Sequence, residues 1–283
     1  GQITYGTMIS SQASVTQSSG STQSVLKEPT VSAQGAVLMD AATGQVLFGK
    51  NQDQQFYPAS ITKVMTALLV LEHCNLSDVV TFSKTATTNL ESGATSLGIA
   101  EGDQLTVEQC LYGLLLKSAN EIGNGLAEHV SGSVSAFADL MNQRAVQLGC
   151  KNTHFANPHG LHNENHYTTA YDVYLMLYAA YQHTEFQNTV SMSSYTLNMT
   201  HADGTAGTIY LSSTDKYLTG EKNAPENVTV LGGKTGTTDE AGSCLALVSQ
   251  NAYGEPFISV ILHASTKVEL YEDMNTLLSN INS

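Results

Sequence analysis

The sequence predicts an α+β fold: an antiparallel sheet assembled from both ends of the chain, flanked by helices, with a helical lobe inserted between its strands. Three observations carry this expectation. Short apolar runs rich in Val, Ile and Leu lie near the start, at 36–49, and near the end, at 228–263. Stretches of helical patterning fill much of the interval between them. The late apolar runs are separated by short turn sequences, and short connections join antiparallel neighbours. With 283 residues and 41% apolar content, the chain can build a packed core and is too apolar to be disordered.

Each element has its own justification. Residues 1–30 are dominated by Ser, Gln, Thr and Gly, with no charge before Lys27, and are expected to form a flexible N-terminal tether. Residues 31–283 are expected to form the folded domain. Ala36–Asp40 and Gln45–Gly49 flank Ala41-Ala42-Thr43-Gly44, a hairpin pattern with glycine at the turn. Pro58-Ala59-Ser60 opens a helix reaching about His73. Its body, Val64–Leu71, is apolar nearly all round and so belongs in the core. Thr106–Lys117, Asn120–Val130, Val134–Leu148 and Thr169–His183 read as helices, and Gly149 suits a helix stop. These supply the inserted lobe, expected over about 75–185. Val228–Leu231, Ser243–Ser249 and Pro256–His263 read as strands, with Asp239–Gly242 as a turn. Lys267–Ile281 closes the chain as a helix, with Leu270, Met274, Leu277 and Leu278 on helical spacing.

Charge narrows the function classes. Asp plus Glu number 25 against 11 for Lys plus Arg, a net charge of −14. That excludes the basic face of a nucleic-acid binder and the polybasic patch of a membrane-surface protein. Arg144 is the single arginine. It lies inside a predicted helix and is expected to be structural. The longest apolar run is too short to span a bilayer, which takes about 20 residues. No signal peptide is visible, and a Ser/Thr-rich tether fits an exported protein whose signal or anchor lies outside this chain. The four cysteines, at 74, 110, 150 and 244, contain no C-x-x-C, so a structural zinc site is not expected. They read as small buried hydrophobes, with one or two disulfides as the alternative.

Hydrolase patterns separate cleanly. G-x-S-x-G and H-E-x-x-H are absent, and Gly233-Lys234-Thr235 lacks the upstream glycine of a P-loop, Val228 standing there. Ser60-Ile61-Thr62-Lys63 is an S-x-x-K at a helix start. The spacing stacks Lys63 one turn above Ser60. A serine hydroxyl needs a neighbouring base, and a lysine serves as one when burial or a second cation depresses its pKa. Two further segments join it: Ser118-Ala119-Asn120 at a helix–helix junction, and Lys234-Thr235-Gly236-Thr237 after an apolar strand and a glycine pair.

The order and spacing of these three segments resemble the active-site serine penicillin-recognising enzymes. Pro58–Thr66, Asn157-Pro158-His159-Gly160-Leu161, Thr168–Asp172 and Lys234–Gly242 look like the corresponding segments of the low-molecular-weight penicillin-binding proteins, the D-alanyl-D-alanine carboxypeptidase family. The resemblance covers residues 31–283. It implies a serine β-lactamase/transpeptidase-like fold without cofactor or metal. Ser60 would attack the carbonyl between the terminal D-alanines of a peptidoglycan stem peptide, and β-lactams would acylate the same serine. Lys63 would be the base, Ser118 would relay a proton to the leaving nitrogen with help from Lys234, and Asn120 would bind substrate and fix Lys63. Thr235, Gly236 and Thr237 would bind substrate, and the N–H groups of Ser60 and Thr237 would form the oxyanion hole. The implied location is extracytoplasmic, secreted or tethered at the outer face of the bacterial cytoplasmic membrane, through an anchor not present in this chain.

Where many relatives place an arginine near the substrate carboxylate, this chain offers Lys267 or Lys216. Lys234 with Thr235 and Thr237 is expected to dominate. His159, His162 and His166 read as a polar loop at the rim of the site, not a metal cluster. The alternatives are a DD-endopeptidase using the same residues, a β-lactamase and a non-enzymatic β-lactam sensor domain. A β-lactamase needs a deacylating carboxylate. Glu164 is the candidate, but its surroundings lack the E-x-x-L-N pattern, and the second motif reads S-A-N instead of S-D-N.

Overall fold

A computed structural model describes residues 28–88 and 90–283. The tether expected over 1–30 therefore falls almost wholly outside the described residues. The core of the molecule is a five-stranded antiparallel sheet in the order β2-β1-β9-β8-β7. Its strands are β1 (Gly35–Asp40), β2 (Val46–Lys50), β7 (Thr229–Thr238), β8 (Gly242–Gln250) and β9 (Pro256–Ala264). Both chain ends do contribute, through six consecutive β1–β9 pairs from Gly35↔Leu262 to Asp40↔Phe257. The β1–β2 turn is held by Asp40, whose Oδ1 accepts from the N–H groups of Ala42 and Thr43, and Gly44 takes φ 76°.

Both faces of this sheet are covered, and the period of two sorts the side chains between them. Ala36, Leu38, Leu245, Leu247 and Ile261 pack against the closing helix α9 (Lys267–Leu278) through Leu270, Met274 and Leu277. Val37, Met39, Ala246, Val248, Val260 and Leu262 join the larger core on the other side. That core contains α1 (Lys63–His73), whose residues 63–70 are all buried, and α6 (Ala170–Tyr181). Fully burying one Leu or Val of this kind is worth roughly 1.5–3 kcal/mol. The N-terminal end is fastened to α9 by Asp273, which accepts from the backbone N–H groups of Ser32 and Ala33.

The inserted lobe holds α2 (Lys84–Thr87), α3 (Val107–Leu116), α4 (Asn120–Ser131) and α5 (Val134–Gln147), with α7 (Thr184–Val190) following α6 and α8 (Lys216–Thr219) preceding β7. It is not purely helical. A second antiparallel sheet, in the order β3-β4-β5-β6, joins β3 (Val79–Thr81) and β4 (Gln104–Thr106) to the hairpin β5 (Ser194–Thr200) and β6 (Ala206–Ser212). Nothing in the sequence reading announces it. Two strands are three residues long, and the hairpin buries one face only, so Leu197, Met199 and Leu211 alternate with exposed polar residues and make no continuous apolar run. β7 is also longer than the 228–231 run. Lys234, Thr235, Gly236 and Thr237 lie on the strand, not after it, because their ladder with β8 continues to Thr238↔Gly242.

All four cysteines are free thiols, three buried and Cys74 half-buried. Arg144 makes a bidentate surface pair with Glu72, tying α5 to α1. Among the described residues no helix is long and apolar enough to cross a membrane.

Candidate active site

Ser60 does not sit in the first turn of an α-helix. Ala59–Thr62 is a 3₁₀ turn, and α1 begins at Lys63. Three residues per turn eclipse positions i and i+3, which aligns the two side chains more closely than an α-turn would. Lys63 Nζ lies 2.7 Å from Ser60 Oγ. The turn is entered through Ala59 at φ 49°, a left-handed conformation that a non-glycine residue adopts at some cost.

The surroundings of Lys63 define its protonation. Nζ also lies 2.8 Å from Asn120 Oδ1, 2.9 Å from the His159 carbonyl oxygen and 3.1 Å from Ser118 Oγ. Asn120 Oδ1 and the His159 carbonyl only accept, so each takes an N–H. A neutral amine has two N–H groups and one lone pair, and the lone pair is then left for a serine hydroxyl. Complete burial, reinforced by the positive charge of Lys234, holds the Lys63 amine well below the ordinary lysine range, against the opposing pull of Glu121.

Ser118 occupies the junction between α3 and α4 at φ 67°, a second strained position. Its Oγ stands between two lysines, 3.1 Å from Lys63 Nζ and 3.0 Å from Lys234 Nζ. Lys234 is buried on β7 and also donates to the Thr235 carbonyl at 2.8 Å. Burial brings Lys234 down to about 7, and Asp215 opposes that shift. Asp215 is itself buried, with Oδ1 accepting from the Tyr217 N–H and Oδ2 without a hydrogen-bond partner. Burial pushes its carboxyl up to about 6, and Lys234 pulls it back.

A cleft opens over these groups. β7 is an edge strand, so alternate backbone N–H and C=O groups point away from β8 and are free for a ligand. Gly236 permits the strand to approach the nucleophile turn: a Cβ there would lie 2.7 Å from the Ser60 nitrogen. Beyond Ser60 the cleft wall includes Thr235, Thr237, Lys117, Lys216 and Lys267. Both lysines proposed in place of an arginine thus reach this wall, and Lys117 joins them. Thr235 Oγ1 is 2.6 Å from Thr214 Oγ1. On the other side of Ser60 a second hollow is lined by Glu91, Asp239 and Glu240. The site is therefore polarised, cationic on one side of the serine and acidic on the other.

Comparison with known proteins agrees with this geometry. The family model for the S11 peptidases, D-alanyl-D-alanine carboxypeptidase, matches residues 22–266. The chain belongs to that family. It is 32% identical over 248 residues to the D-alanyl-D-alanine carboxypeptidase DacF of Bacillus subtilis, covering 87% of this chain and 61% of that one. It is 30% identical to the D-alanyl-D-alanine carboxypeptidase DacC of Escherichia coli, covering 91% and 63%. The crystal structure of the Streptomyces K15 DD-transpeptidase superposes with a TM-score of 0.83 at 28% identity, covering 90% of this chain and 98% of that one. The chain spans about three fifths of the length of the first two relatives.

Several groups that shape this S11 site escape residue-by-residue reading. The 157–166 loop is more than a rim: Gly160, Leu161 and His162 line the second hollow, while Pro158, His159 and His166 are buried. Pro158 and His159 offer their carbonyls to Thr66 Oγ1, at 2.6 Å, and to Lys63. His166 is buried with Nε2 2.7 Å from Thr62 Oγ1, and burial lowers both His159 and His166 to about 3, so both rings stay neutral. Of the three histidines, His162 is the one that lines the open hollow. The sequence signal was the Asn-Pro-His-Gly segment itself, whose function is carried by backbone carbonyls. Glu121 is fully buried on α4. It accepts from Ser96 Oγ and from the N–H groups of Leu97 and Ile99, pinning the loop that carries Thr95 into the cleft. Glu164 lines a different cavity, beside Phe56, Tyr167 and His263; that cavity meets the acidic hollow at Glu240, and Glu164 lines neither hollow that reaches Ser60.

Gly160 is a sensitive point. It has φ 94°, and a Cβ there would lie 1.8 Å from the Ala59 carbonyl oxygen. Gly160→Ala is expected to cost about 3–5 kcal/mol through strain and displacement of the nucleophile turn. In thermal unfolding this reads as a midpoint lower by about 10 °C. An unchanged midpoint would show that the turn yields freely.

Proposed function

We propose that this chain is a serine-type D-alanyl-D-alanine carboxypeptidase that removes the terminal D-alanine of peptidoglycan stem peptides through an acyl-enzyme on Ser60. The observation that carries the reading is the fully buried Lys63 Nζ, 2.7 Å from Ser60 Oγ and held in place by Asn120 Oδ1 and the His159 carbonyl oxygen. Membership of the family supports the substrate class.

In this reading the substrate lies extended along the outer edge of β7. Its terminal carboxylate faces Lys234, Thr235 and Thr237, with Lys216, Lys267 and Lys117 adding long-range charge in place of an arginine. Ser60 Oγ bonds to the carbonyl carbon as its proton passes to Lys63 Nζ. The oxyanion rests against the backbone N–H groups of Ser60 and Thr237, and one such donor is worth roughly 3 kcal/mol. The C–N bond then breaks. The leaving nitrogen takes a proton from Ser118 Oγ, which recovers one from the lysines beside it. Water then adds to the acyl carbon as Lys63 takes its proton, the C–Oγ bond breaks, and Lys63 returns the proton to Ser60 Oγ as the shortened peptide leaves. A β-lactam follows the same first steps, but its leaving nitrogen stays attached to the acyl group. Because the substrate is a wall polymer, the reading places the protein outside the cytoplasm.

An endopeptidase reading is supported by 30% identity to the D-alanyl-D-alanine endopeptidase of Pseudomonas aeruginosa, over 86% of this chain and 74% of that one. Mass spectrometry of a defined pentapeptide stem and of a cross-linked dimer separates the two. Loss of one alanine from the pentapeptide is expected. Cleavage of the dimer alone favours the endopeptidase, and neither cleavage nor a penicillin adduct on Ser60 overturns both.

A further inference from the structure

We propose that Cys74, Asp78 and His129 form a surface site for one divalent transition-metal ion of the zinc class. The thiol sulfur, one carboxylate oxygen and one imidazole nitrogen all lie within 4.8 Å of one another. They come from three places: the C-cap of α1, the approach to β3 and the last turn of α4. A tetrahedral zinc ion with bonds of 2.0–2.3 Å holds its ligands roughly 3.5 Å apart, so small side-chain rotations close the triad. Three protein ligands of mixed S, N and O character leave a fourth position for water.

The surroundings favour a cation. Both α1 and α4 end here, and each helix C-terminus carries partial negative charge. The loop between Cys74 and Asp78 is already set, because Asp78 Oδ2 accepts from the Asn75 N–H at 2.9 Å and the Cys74 N–H is held by the Val70 carbonyl. Such outer bonds orient a ligand before the metal arrives. Thiolate is the metal-binding form of cysteine, so metal binding at Cys74 releases a proton. No sequence pattern announces the site, since its third ligand lies 51 positions beyond Asp78.

The same two helices begin at the active site, α1 with Lys63 and α4 with Asn120. The 11 residues of α1 span about 16 Å, so the ion is too far away to touch substrate. Its role is to clip together the far ends of the helices that hold the catalytic lysine and its asparagine partner.

Cobalt(II) titration of the chelator-treated protein tests this. One equivalent is expected to give a thiolate-to-cobalt charge-transfer band and the visible bands of a tetrahedral ion, both removed by zinc. Cys74→Ser should abolish the charge-transfer band. His129→Ala should weaken binding at least about 100-fold, and Cys150→Ser, at a thiol away from the triad, should change neither. Zinc should also protect Cys74 of the unaltered protein from alkylation, which requires no variant to fold. Absence of the band at one equivalent, or its survival in Cys74→Ser, overturns the proposal, as does unprotected Cys74.

Discussion

Lys63→Ala should fold and yet lose acylation of Ser60 by roughly 10⁴-fold or more, whether the acyl donor is a D-Ala-D-Ala peptide or a penicillin. Residues that act as a unit fail together, so the loss should approach that of Ser60→Ala. Lys63→Arg should not rescue it. A guanidinium stays protonated and offers no lone pair, although it keeps the donors for Asn120 Oδ1 and the His159 carbonyl. The direction of the pKa shift adds a pH signature. The amine is active when neutral, so acylation should fall on the acid side as Lys63 takes a proton, well below the ordinary lysine range. Stopped-flow acylation across pH reads both effects. Acylation of Lys63→Ala within tenfold of the unaltered protein would remove Lys63 from the mechanism.

Lys234→Ala should lower kcat/KM for the peptide by about 10³-fold, from two losses. One is the charge facing the substrate carboxylate, and the other is the N–H that orients Ser118 Oγ. Leaving the substrate carboxylate without its cation in a buried site costs about 3–5 kcal/mol. The charge on Lys234 is present below about 7 and lost as pH rises through it. Capture of an anionic peptide should therefore weaken on the alkaline side. The groups facing Lys234 are Lys63, Ser118, the Thr235 carbonyl and Asp215, and of the charged ones Asp215 favours its charge. Asp215→Asn should move the alkaline limb to lower pH and raise KM more than it changes kcat. A limb that stays in place in Asp215→Asn, or an unchanged kcat/KM in Lys234→Ala, would assign carboxylate recognition to Lys216 or Lys267 instead.

The readable and unreadable parts of this protein divide along physical lines. The hairpin, α1 and the last three strands were legible because their residues are buried on one or two faces, and burial writes itself into apolar periodicity. The three candidate motifs were legible because each is a set of side chains in a short fixed pattern, Ser60 with Lys63, Ser118 with Asn120, and Lys234 with Thr235–Thr237, although the last lies on β7 and not after it. What escaped is backbone or solitary. The His159 carbonyl that accepts a hydrogen bond from Lys63 has no residue identity to read. Asp215 stands outside any pattern, and its influence on Lys234 exists only once α8 is laid beside β7. The second sheet is polar on one side and built partly from three-residue strands, too short to show a period.

The pairing of β1 with β9 has a kinetic consequence. β1 ends at Asp40 and its partner begins at Pro256, so more than two hundred residues must be made before the hairpin finds its neighbour. The Asp273 clamp on Ser32 and Ala33 comes later still. Contacts of such long range carry a large loop-closure entropy and slow the folding of the chain that depends on them. The sheet that carries Lys234 is thus the last part of the molecule able to close. A chain made from its N-terminus cannot assemble this site until β9 is available to pair with β1.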